Sequence, residues 1–92
     1  MSLDSAFREL RNRGYIAERN FQCCNSCAWA EIPEDATKVV FIHEQNEERI
    51  AEGQPAYIGW VGDGKEIVKV LNDNGVETKW DGEAYTAIEV IV

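Results

Sequence analysis

No apolar run in this chain approaches the roughly 20 residues that a membrane helix needs, so no transmembrane segment is expected. Positive charge is also scarce. Lys and Arg number 9 against 17 Asp and Glu, leaving a net charge of −8. That balance repels phosphates, which argues against a nucleic-acid binder and against docking on anionic membranes. It is compatible with a basic protein partner. Histidine occurs once, so any metal site built from nitrogen and sulfur must lean on the cysteines. The opening residues lack a charged segment followed by an apolar core, so no signal peptide is expected. Met1-Ser2-Leu3 is compatible with residue left by cloning.

What is present is enough for one folded domain over residues 1–92. Hydrophobic residues make up 45% and aromatics 10% of the chain, which argues against disorder. The core of so short a chain is modest. Three cysteines, an odd number with no export signal, point to thiols in a reducing cytoplasm.

Leu3, Ala6, Phe7 and Leu10 fall at helical spacing, with Asp4 or Ser2 available as cap and Gly14 placed to end the helix. Residues 15–21 read as a first strand. Asn25 or Ser26 can cap a short helix over residues 28–31, stopped by Pro33. Residues 38–43 form a second strand. Its four consecutive apolar residues, Val39-Val40-Phe41-Ile42, predict burial on both faces and a central position. Residues 44–52 predict a weak surface helix, because Glu44/Glu48 and Glu48/Glu52 repel at i,i+4. Residues 56–61 give a third strand.

Asp63 and Glu66 have the spacing of a capping box ahead of Ile67, Val68, Val70 and Leu71, and Gly75 closes that helix. Residues 76–79 or 76–80 and residues 83–92 are strands four and five. Asp81-Gly82 invites a two-residue turn. Pairing position 79 with 83 instead gives one apolar face, Val76, Thr78 and Trp80 beside Ala84, Thr86, Ile88, Val90 and Val92. The pattern therefore predicts a three-residue loop, 80–82, with Gly82 left-handed beside a bulge. The fold class is α+β: a mixed or antiparallel sheet of about five strands with three to four helices and a C-terminal β-hairpin. Leu10 through Ile16 and Leu71 through Glu77 repeat one order: Leu, three polar residues, Gly, strand. Such helix exits are common without duplication.

The chemistry-bearing stretch is Asn20-Phe21-Gln22-Cys23-Cys24-Asn25-Ser26-Cys27. The two-residue gap from Cys24 to Cys27 suits metal chelation or a redox dithiol. A closed zinc site takes four N or S ligands, and Cys23, Cys24, Cys27 and His43 are the candidates. They converge if strands one and two are parallel neighbours, which the 16 residues between them permit as a crossover. A helix start at Cys24 would instead favour its thiolate, and a third reading keeps all three as small buried hydrophobes. Gly59-x-x-x-x-Gly64-Lys65 imitates a phosphate loop, but Glu66 stands where Ser or Thr must bind magnesium. Trp29, Trp60, Trp80, Tyr15, Tyr57 and Tyr85 fit a core and its rim as well as a ligand groove. The carboxylates are scattered, with no acid and base pair.

The cysteine stretch resembles a bacterial family of uncharacterised small domains with an N-F-x-C-C-x-x-C motif near the N-terminus. The likeness continues at Ala30-Glu31-Ile32, Phe41-Ile42-His43, Tyr57-Ile58-Gly59, Trp80-Asp81-Gly82 and Ile88-Glu89-Val90. The chain departs from it at Ala28, where the family has glycine, and at Glu44-Gln45-Asn46, where it has Gln-Gln-Asp. The resemblance implies a bacterial cytosolic domain of unknown function and no mechanism. Two functions are expected from the whole: a non-catalytic acidic binding module for a protein partner, or a zinc-binding or thiol-redox protein centred on the cysteines.

Overall fold

The computed structural model describes residues 3–22, 25–83 and 86–91. The described residues form one small α+β domain of four helices and a five-stranded mixed sheet. Helix α1, Leu3–Asn12, buries Leu3, Ala6, Phe7 and Leu10, the stripe that helical spacing predicts. Asp4 lies in its first turn rather than before it. Gly14 takes φ 94°, and the Tyr15 amide reaches back to Leu10 O at 3.0 Å. Helix α4, Gly64–Asp73, ends the same way: Gly75 has φ 79°, and Val76 N donates to Leu71 O at 2.9 Å. The sequence echo is thus one exit geometry used twice, each time turning a helix into a strand at a sheet edge.

The strands are β1 (Ile16–Glu18), β2 (Val39–Phe41), β3 (Ala56–Val61), β4 (Glu77–Lys79) and β5 (Ile88–Ile91), in the order β1-β2-β3-β5-β4. β1 and β2 are parallel, and every other pair is antiparallel. β2 is interior, as its apolar run predicts. Val40 and Ile42 enter the main core with α1 and α4, while Val39 and Phe41 face the other way. There they meet Ala28 of α2, Asn25–Glu31. That helix already includes Asn25 and Ser26, so the expected caps lie in its first turn.

Phe41 is crossed edge-on by Trp29 at 5.0 Å between ring centroids. Its ring lies over its cross-strand partner Gly59, where a Cβ would collide with it. β1 is shorter than the sequence suggests because Asn20 and Gln22 adopt φ 53° and 63°. Hydrogen bonding to the β2 side nevertheless continues: Phe21 N donates to Ile42 O, and Glu44 N to Gln22 O, both at 2.9 Å.

Two local expectations are corrected. Asp63 caps α4, accepting from Lys65 N at 3.0 Å and Glu66 N at 3.3 Å. Glu66 does not close the box. It accepts from the Tyr15 hydroxyl at 2.8 Å and from Arg13 at 3.2 Å, because α1 and β1 bring those donors to it. The C-terminal strand pair has Lys79 opposite Glu89, not opposite Glu83. The connection is the longer stretch 80–87, whose residues 84 and 85 lie outside the described residues. Asp81 organises it, accepting from Glu83 N at 2.9 Å and Thr86 Oγ1 at 2.7 Å. Those bonds hold the Asp81 carboxyl below the usual carboxylate range, the Thr86 hydroxyl having the largest effect. The Trp60 indole donates to Thr86 O at 2.9 Å and packs edge-on against Trp80. Gly82 is left-handed as expected, with φ 87°.

Candidate functional site

Helix α3, Glu44–Ala51, starts where β2 ends. Repulsion between its glutamates predicts a weak helix, yet three contacts fix it. Ile50 packs against the main core. His43 is its N-cap, and its ring is buried together with Asn46. Glu47 receives Arg19 from the end of β1: Nε to Oε2 is 2.9 Å and Nη2 to Oε1 is 2.6 Å. Such a two-pronged carboxylate pair is the strong form of an ion pair. Arg19 Nη1 also reaches Asp4 of α1 at 2.9 Å. Glu47, and then Asp4, raise the Arg19 pKa, against the opposing effect of burial.

The Arg19 pairs lie in a shallow, open cleft of about 470 Å³ lined by Asp4, Arg19, Asn20, Glu44, Glu47, Glu48 and Ala51. Its charge is lopsided. Asp4, Glu44, Glu47 and Glu48 surround one cation, and that cation is already paired with two of them. Glu44 and Glu48 are exposed and stand one helical turn apart. Like charges at that spacing destabilise a helix, so a cation seated between them would relieve a standing cost. Three elements distant in sequence build the cleft, which is why the carboxylates look scattered along the chain. The repelling Glu44/Glu48 pair was the signal available in the sequence.

Of the predicted metal ligands, Cys23 and Cys24 lie outside the described residues. Cys27 is on α2 and exposed. His43 is buried at the start of α3, with Nε2 at 3.1 Å from Asn46 Nδ2 and Nδ1 at 3.4 Å from Asn46 N. Asn46 Nδ2 also donates to Tyr57 O at 3.0 Å. An amide nitrogen has two hydrogens, so one serves Tyr57 and the other can serve Nε2 when the ring carries its proton on Nδ1. The other tautomer accepts the Asn46 backbone N–H instead. Either way the ring is committed to Asn46.

Parallel pairing of β1 and β2 brings the exits of both strands to one end of the sheet, as the metal reading requires. Among the described residues, no group of three or more His, Cys, Asp or Glu side chains is arranged to hold a metal. Also among them, no helix is long and apolar enough to cross a membrane.

Comparison with curated proteins and with solved structures finds no match to either. A family model does match residues 2–92, nearly the whole chain, and the protein belongs to that family, the Domain of unknown function (DUF6891).

Proposed function

We propose that this protein is a non-catalytic binding module of the cytoplasm. Its cleft between α1, the end of β1 and α3 takes a cationic group, a lysine or arginine side chain, from a protein partner. One observation carries the reading: four carboxylates line the site around a single arginine that is already paired with two of them. An incoming cation meets Glu44 and Glu48 without displacing Arg19. The net charge of −8 steers such a partner from a distance.

Calorimetric titration with a short lysine- and arginine-rich peptide, against a glutamate-rich control, tests this. Binding should weaken with added salt and fall about tenfold or more in the Glu44→Gln, Glu48→Gln double variant. Glu44 lies in the first turn of α3, where a carboxylate also favours the helix, so circular dichroism of the variant separates lost binding from a lost helix. Absence of binding, or binding unchanged in the variant, overturns the reading.

A second reading, a zinc-binding or thiol-redox site at Cys23, Cys24, Cys27 and His43, draws support from one contact. Glu44 N donates to Gln22 O at 2.9 Å, joining the segment before Cys23 to the residue after His43. His43 would have to exchange Asn46 for the metal. Stoichiometric zinc in the purified protein, lost on His43→Ala, would favour this reading over the first.

A further inference from the structure

The sheet has a half-open face. Register puts Tyr57 beside Glu89 and Glu89 beside Lys79 in one row, with Ile91 beside Glu77 in the next. Their neighbours Ala56, Ile58, Ile88 and Val90 belong to the main core, so this set points the opposite way. α2 packs on Val39 and Phe41 of this second face. Tyr57 is 43% exposed, Glu77 and Lys79 are exposed, and Ile91 and Glu89 are half-buried. Arg49 reaches over the Tyr57 ring from α3, its Cζ at 5.8 Å from the centroid.

Charge decides what fits there. The molecule as a whole is acidic, and the α3 cleft strongly so. This patch differs. Arg49 and Lys79 balance Glu77 and Glu89, and Lys79 lies beside Glu89 across β4 and β5. A cationic partner gains nothing from a neutral patch. Two acidic chains repel everywhere except where each is locally neutral. A surface holding both signs in equal number around an aromatic and an isoleucine can complement itself, as a two-fold interface demands. We infer that the open half of this face, centred on Tyr57, Lys79, Glu89 and Ile91, is the contact between two copies of this chain.

Sedimentation equilibrium from micromolar to millimolar protein tests it. The unaltered chain should form dimers in a concentration-dependent way. Tyr57→Glu should abolish them, with circular dichroism showing that the fold persists. Lys79→Glu makes the patch acidic and Glu89→Lys makes it basic, so each alone should weaken the dimer about tenfold or more. An equimolar mixture of those two variants should recover association, because their patches attract. A chain that stays monomeric at millimolar concentration overturns the inference. So does a dimer indifferent to all three substitutions, or a mixture no tighter than either variant alone.

Discussion

The two faces of the sheet are built differently. On the first, α1 and α4 lay Phe7, Leu10, Ile67, Val70 and Leu71 over Val40, Ile42, Ile58, Ile88 and Val90, all at most 1% exposed. On the second, the seven residues of α2 shelter Val39 and Phe41, and Trp29 and Tyr57 stay 38% and 43% exposed. Burial of apolar area carries most of a small domain's stability, so the first face holds the fold together. The second face has enough cover to keep Phe41 dry, and the rest of it stays half-open.

The sharpest way to break this comparison is to truncate one phenylalanine on each face. Phe7→Ala opens a cavity among α1, α4 and the sheet and should cost about 4–5 kcal/mol, a large part of what a domain this size has. Phe41→Ala removes a ring that is 1% exposed but lies under a short helix able to settle into the gap. Its cost should be nearer 3 kcal/mol. Urea unfolding of the two variants gives the ratio. Equal losses would mean that the second face is as firmly packed as the first.

Gly59 sharpens the same contrast. Its Cβ position is filled by the Phe41 ring, so Gly59→Ala should cost about 1–3 kcal/mol by overpacking. In the Phe41→Ala background the obstacle is gone, and the same change should be close to neutral. A double-mutant cycle by urea unfolding reads the coupling directly. Additive costs would show that some other constraint holds the glycine.

The smallest effect lies at the rim of the first face. The Tyr15 hydroxyl donates to Glu66, and burial first, then that carboxylate, push its pKa up to about 12. The folded state therefore holds this proton more tightly than the unfolded chain, where tyrosine loses it near 10. The bond's contribution is fully present below about pH 10 and is lost as pH rises through about 12. Tyr15→Phe should lower stability by about 1 kcal/mol at neutral pH and flatten the alkaline decline. A parallel decline in both proteins would assign the alkaline loss to other groups.

Much of this architecture is written in local patterns. Val39-Val40-Phe41-Ile42 has an apolar side chain for each face, so β2 had to be interior. Leu10 to Gly14 and Leu71 to Gly75 carry the helix exits, because glycine takes the left-handed turn that ends each one. Asp63 capped α4 as its position ahead of the apolar stripe requires. The strand connection shows where such reading stops. Alternation has a period of two, so it tells which side a residue faces but not which residue it faces. Pairing Lys79 with Glu89 rather than Glu83 shifts the register by an even number, and Thr78 still shares the core face with Val90. What set the register was Asp81 folding the connection on itself and Trp60 holding Thr86 from another strand. The candidate site divides the same way. The Glu44/Glu48 repulsion could be read along one helix. Only the tertiary structure brought Asp4 and Arg19 beside that helix, because those contacts join segments that the chain's own order keeps apart.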